Sequence, residues 1–240
     1  MEKKKHSDLF LVNQEFARYL YHDGAAYEDA LYALVSAHAT QFKSDGLKIA
    51  TSSKVGFEEM SSPPFLLAFI NAIVKLVGAK TILEVGTFIG HSAMQFARMV
   101  GADGHVTTLE VFKDFADIAR QNFTQNGFDK QITLIEGDAG AILARLPKHS
   151  FDLVFIDGNK QSYLDYTRQA EELITAKGVI IVDDVFFHGD ALNAVPSTDK
   201  GLGCKRLLEY YRDNKMFEHL LLPLRNGILL LFRHDAAHHA

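Results

Sequence analysis

Acidic residues recur where short apolar runs end: Glu84, Glu110, Asp157 and the pair Asp183-Asp184. Such runs read as buried strands, and carboxylates closing several of them describe a polar rim on an apolar scaffold. Asp157, Asp183 and Asp184 supply hard oxygen donors without histidine or cysteine. That set suits Mg²⁺, with Ca²⁺ or Mn²⁺ as alternatives, and argues against zinc. Lys160 follows Asp157 by three residues. Beside a dication it can take a proton from a substrate hydroxyl whose acidity the metal raises. Without one it is a surface lysine or an ion-pair partner.

The first run leads into Glu84-Val85-Gly86-Thr87-Phe88-Ile89-Gly90-His91-Ser92. Dinucleotide sites need a glycine where Phe88 stands, so a nicotinamide dehydrogenase is disfavoured. The glycines are expected to let the backbone turn and approach a ligand. An aminoacyl group fits this turn, Glu84 taking its ammonium and Ser92 its carboxylate. Glu110, 24 residues after Gly86, suits a pair of ribose hydroxyls. Asp138 can accept from an adenine amino group, cap the helix beginning at Ala139, or do both.

These residues need a frame. Residues 7–40 carry helical periodicity broken at His22-Asp23-Gly24, and 43–62 read as loop. Pro63-Pro64 starts a helix over 65–77. Strands then alternate with helices: 81–85, 106–110, 132–136, 151–157 and 179–183 are strands, and 92–100, 113–127, 139–146, 163–176 and 202–214 are helices. Residues 218–222 and 228–232 form a terminal hairpin around Asn226-Gly227. The expectation is an α/β fold whose mostly parallel sheet is covered on both faces, with ligands beyond the strands' carboxyl ends.

The 240 residues suit one domain, with 48% apolar and 23% charged residues. The net charge of −5 offers no global basic field for nucleic acid. Neither a secretory signal nor a membrane-spanning run is visible. The lone Cys204 permits no internal disulfide, fits a reducing, cytoplasmic setting, and reads as incidental within a Gly-rich stretch. Phe186, Phe187 and His188 either cover an aromatic substrate or pack in the core.

From about Met60 to Arg233 the chain resembles the metal-dependent class I O-methyltransferases, the group of the caffeoyl-coenzyme-A and catechol O-methyltransferases. The resemblance is carried by the Glu84–Ser92 turn, Phe155-Ile156-Asp157-Gly158-Asn159-Lys160, Gly178–Asp184 and Pro223-Leu224-Arg225-Asn226-Gly227. It implies a Rossmann-like fold with a seven-stranded sheet, S-adenosylmethionine as methyl donor, and commonly a homodimer. It places Met60, Gly86, Phe88, Ser92, Glu110 and Ala139 at the cofactor. Glu84, Val111, Asp138 and Asp157 join that set. It implies metal at Asp157, Asp183 and Asp184 and a base at Lys160, with Asp157 sharing the catalytic role. Residues 1–62 are then a helical segment shaping the substrate mouth, and 63–235 the methyltransferase core.

The chain departs from the family where Asp184 replaces a usual asparagine, Asn159 an aspartate and His91 a tyrosine. The expected acceptor is a hydroxyl of a small phenolic or catechol-like molecule, away from any membrane. A tRNA hydroxyuridine acceptor and a non-catalytic cofactor-binding protein are the competing readings.

Overall fold

The computed structural model describes residues 61–233, together with 46–52 and Leu34, Ala37 and Ala39. The helices expected over 7–40 lie almost wholly outside the described residues, as do Met60 and the C-terminal tail.

Helix α1 (Pro64–Val77) opens on Pro63-Pro64, where a missing N–H costs nothing, and closes at Gly78 in the left-handed conformation. Strand β1 (Thr81–Val85) follows, then α2 (His91–Val100), β2 (His105–Glu110), α3 (Lys113–Gln125), β3 (Ile132–Glu136), the short α4 (Ala139–Leu143) and β4 (Phe151–Ile156). After a 3₁₀ turn at Lys160–Ser162 come α5 (Tyr163–Leu173), β5 (Ile174–Asp183), a second 3₁₀ turn at Asp190–Leu192, α6 (Asp199–Asp213), β6 (Phe217–Leu222) and β7 (Ile228–Arg233).

Among the described residues these strands make a seven-stranded sheet in the order β3-β2-β1-β4-β5-β7-β6. The first five are parallel, and β7 runs against both β5 and β6. This is the expected Rossmann-like sheet with its terminal hairpin. Alternate residues of each central strand enter two separate cores. Leu83, Val85, Val154 and Ile156 face α4, α5 and α6. Ile82, Leu153 and Phe155 face α1, α2 and α3. Burial on both faces explains why these strands read as apolar runs. No helix among the described residues is long and apolar enough to cross a membrane.

Several boundaries differ from the sequence reading: α3 and α4 end at Gln125 and Leu143 rather than at 127 and 146. Residues 174–176 open β5 rather than closing α5, and the β4–β5 pairing shifts register between Phe151 and Leu153. Helix α6 begins at Asp199, three residues early, because Thr198 caps it by accepting from Gly201 N. The Gly201–Gly203 stretch is therefore helix. A Cβ at Gly203 would overlap the carbonyl of Lys160, so glycine there lets α6 lie against the turn after β4. Cys204 is not incidental either: it is wholly buried and its thiol points to the carbonyl of Asp184 at 3.8 Å.

Candidate active site

Strand order reverses between β1 and β4, whose neighbours lead away in opposite directions, and in open α/β sheets ligands bind beyond the strands' carboxyl ends at such a point. The turn after β1 is fixed from β2: Gly86 and Thr87 donate backbone N–H to Leu109 O at 3.0 and 3.2 Å. Phe88 N donates to Glu110 Oε2 at 2.8 Å, and Phe112 N to Glu110 Oε1 at 2.9 Å. Glu110 thus ties the loops after β1 and β2 together, and the N–H groups of Thr87 and Val111 also face its carboxylate. Burial pushes its pKa up against the pull of these N–H groups. Val111, beside it, is exposed.

Gly86 also has a packing role. The space a side chain would take is filled by the carbonyl of Asp157, whose N–H donates to Val85 O at 2.9 Å. The glycine lets the β1 and β4 loops touch. Its φ of 104° also favours glycine. Phe88 holds a left-handed φ of 49° and packs edge-on to Phe115 at 4.9 Å.

Glu84 is fully buried on the face toward α2. Its Oε2 accepts from Thr108 Oγ1 at 2.5 Å, Thr87 Oγ1 meets Thr108 Oγ1 at 2.6 Å, and the Ser92 hydroxyl also bonds this carboxyl. Its Oε1 has no hydrogen-bond partner among the described residues. Burial drives its pKa up to about 8, and the hydroxyls of Ser92 and Thr108 only partly offset that. Ser92 therefore meets Glu84 rather than standing apart at the helix start. Thr87 and Thr108 were not found from sequence, because a strand threonine carries no signal of its cross-strand partner.

Asp138 accepts from Ala141 N at 2.9 Å and caps α4, with Ala139 as its first residue. Asp138 also borders an open groove between α4 and α5 that includes Ser162 and Tyr166.

The second half of the rim gathers charge. Lys160 Nζ lies 2.8 Å from Asp184 Oδ2 and 3.5 Å from Asp157 Oδ1, and 5.4 Å from the centre of the Tyr163 ring. Burial alone would lower the Lys160 pKa, but Asp157, Asp184 and Asp183 outweigh it and raise the pKa. Burial and the two neighbouring carboxylates raise Asp183. Asp184 takes a left-handed φ of 57°, and its buried Oδ1 has no hydrogen-bond partner among the described residues. Tyr163 Oη is likewise buried and unpartnered among them. Beyond Asp184, Phe186 is core, Phe187 is half-buried and His188 is exposed, so core packing explains Phe186.

Among the described residues no three His, Cys, Asp or Glu side chains stand close enough together to hold a metal ion. Lys160 occupies the position between Asp157 and Asp184 instead. By chemical type the three carboxylates suit a hard dication, one of them with an unpartnered buried oxygen, but they do not converge on a common point here.

A family model described as O-methyltransferase matches residues 35–234. The chain is 31% identical over 170 residues to the catechol O-methyltransferase of Niastella koreensis, covering 69% of this chain and 77% of the relative. It is 29% identical over 180 residues to caffeoyl-CoA O-methyltransferase 1 of Eucalyptus globulus, covering 69% and 71%. The fold matches the crystal structure of a Bacillus cereus O-methyltransferase in complex with SAH, with a TM-score of 0.69 and 24% identity over 83% of this chain and 90% of that one.

Proposed function

This chain belongs to the O-methyltransferase family, and we propose that it methylates a hydroxyl of a catechol-like or phenolic small molecule with the aid of a divalent cation. The observation that carries the reading is the cluster at the ends of β4 and β5. Lys160 and the carboxylates of Asp157, Asp183 and Asp184 meet there, next to the turn after β1.

S-adenosylmethionine would sit over that turn and supply an electrophilic methyl group. Glu84 Oε1 offers an unpartnered acceptor for its ammonium, and Glu110 a carboxylate at the end of β2 for its ribose hydroxyls. Val111, Asp138 and Ala139 would border its adenine end. Asp157, Asp183 and Asp184 would hold the cation, Mg²⁺ by preference, which supplies orientation and acidity to an acceptor's vicinal oxygens.

The chain's own contribution is placement. Methyl transfer is an in-line displacement, so the acceptor oxygen must be held in line with the methyl carbon. Once the carboxylates release it and its own proton has passed to solvent, Lys160 Nζ would take the acceptor's proton as a neutral amine and then, as an ammonium, stabilise the oxyanion so formed. The ion pair with Asp184 keeps the amine pointed at the rim until then.

The test is calorimetric titration with S-adenosylhomocysteine, then methyl transfer to catechol and caffeic acid with Mg²⁺ and with EDTA. Binding and EDTA-sensitive turnover are expected. Lys160→Met should lower kcat by about 10²–10⁴-fold with cofactor affinity retained. Turnover unchanged in EDTA would remove the metal from the mechanism, and no binding would remove the cofactor assignment.

A further inference from the structure

Asn122 stands in the last turn of α3 and Asn126, four residues on, caps its C-terminus, and each grips a residue far away in sequence. Asn122 Oδ1 accepts from Ala50 N at 2.7 Å, and its Nδ2 donates to Ala50 O at 3.1 Å. Asn126 Oδ1 accepts from Lys48 N at 2.9 Å, and its Nδ2 donates to Lys48 O at 2.8 Å. Four residues of helix rise about 6 Å and two residues of extended chain about 6.6 Å, so the two carboxamides match the repeat of a strand. An asparagine at each position supplies both a donor and an acceptor, as a neighbouring strand would. Residues 47–51 are thereby strapped along α3 by side chains.

Asn122 has a further contact. It is wholly buried, and its Nδ2 also donates to Ile89 O at 2.9 Å, inside the turn between β1 and α2. One carboxamide therefore joins the strap to the turn. The neighbouring residue on α3 reinforces the junction, since the Phe123 ring fills the space a side chain at Gly90 would need. Ten residues after Ala50 the chain reaches Met60, placed at the cofactor by the family resemblance.

We propose that Asn122 is a positioning residue that couples the strap at 47–51 to the cofactor turn, so that cofactor affinity depends on the strap being docked. Asn122 acts through Ile89 and Ala50 and does not touch the cofactor. This rests on the reading of the turn as the S-adenosylmethionine site. Losing Asn122 leaves the Ile89 carbonyl without this donor and frees the strap at one end. A buried polar group stripped of its partner weakens binding by about tenfold when binding needs that group in place.

The experiment measures S-adenosylhomocysteine affinity by calorimetry, steady-state KM for S-adenosylmethionine with kcat, and trypsin cleavage at Lys48 and Lys54. The full-length wild type is compared with Asn122→Ala, Asn126→Ala and Ala50→Pro. Ala50→Pro removes the N–H that Asn122 accepts while leaving the α3 core untouched, which guards against a misfolded Asn122→Ala. In the wild type, ligand is expected to slow cleavage. Asn122→Ala and Ala50→Pro are expected to raise KM and the dissociation constant about tenfold, leave kcat within about threefold, and lose the ligand protection. Asn126→Ala speeds cleavage with a smaller loss of affinity, because the tie to Ile89 remains. Wild-type binding with Asn122→Ala and Ala50→Pro both within about twofold of it overturns the coupling alone. A wild type that does not bind S-adenosylhomocysteine overturns the cofactor reading and the coupling with it.

Discussion

Glu84→Gln separates what this carboxyl costs the fold from what it does for a ligand. Glu84 is wholly buried, with one oxygen bonded to Thr108 and the other unpartnered among the described residues. Burial raises its pKa from 4.5 to about 8. A folded-state pKa above the unfolded one means the protonated form favours folding. That contribution is complete below about pH 4.5 and is lost as the pH rises toward 8. Over the practical window from about pH 5.5 to 8.5 the loss is roughly 3 kcal/mol, since each tenfold change in proton activity across it is worth about 1.4 kcal/mol. Glutamine keeps an acceptor for Thr108 and cannot ionise. In urea denaturation the wild type should therefore lose about 3 kcal/mol relative to Glu84→Gln across that window, all other titrations being common to both. Parallel stability curves would show that Glu84 is not held neutral and would refute the reasoning. The same variant should bind S-adenosylhomocysteine more weakly at pH 8, where the lost charge would have met the ligand's ammonium.

Two further changes test how the rim is built. Gly203→Ala puts a methyl group against the Lys160 carbonyl. In an open helix alanine would stabilise by about 1 kcal/mol, so a net loss of roughly 1–3 kcal/mol in a melting experiment, with reduced turnover, identifies the clash; an unchanged or higher melting temperature refutes it. Asp190 accepts from the N–H and hydroxyl of both Ser197 and Thr198, closing the loop between β5 and α6. Burial raises its pKa, but these bonds win and hold the carboxyl well below the usual range. Its contribution is present above the unfolded pKa near 3.8 and fades as the pH falls below it. Asp190→Asn should therefore cost about 1–3 kcal/mol near neutrality and progressively less in acid, read by denaturation at several pH values; a difference independent of pH would contradict it.

The strand–helix alternation was legible because the central strands are buried on both faces, and β1, β4 and the end of β5 carry apolar runs that say so. The start of β5 was not, since Thr175-Ala176-Lys177 lies half-exposed to exposed at the foot of the sheet and has no strand-like pattern. Nor was the start of α6, where glycines that permit close approach looked like loop. The acidic rim could be read from its position at strand ends. What surrounds it could not: the bond from Thr108 to Glu84 spans two strands, and the grip of Asn122 on Ala50 spans 72 residues. Periodicity reports which face a residue takes and is silent on which polar atom meets it there.

Asp184 is the point where sequence and geometry inform each other most. The family resemblance implies asparagine there, and the backbone gives one reason for either residue. The φ of 57° demands a left-handed residue, which short polar side chains tolerate best after glycine. Asparagine meets that demand without burying a charge. Aspartate meets it only if the charge is answered, and Lys160 answers it at 2.8 Å, nearer than it stands to Asp157. The extra carboxylate therefore changes how Lys160 is held as well as how many oxygens face the rim. Asp157, Asp183, Asp184 and Lys160 carry formal charges of three minus and one plus, leaving two negative charges for a dication to cancel. With asparagine at 184 the same group would leave one. With the proposed dication bound, the ammonium's hold on Asp184 would be traded for a doubly charged ion, and Lys160 would be released as that trade occurs.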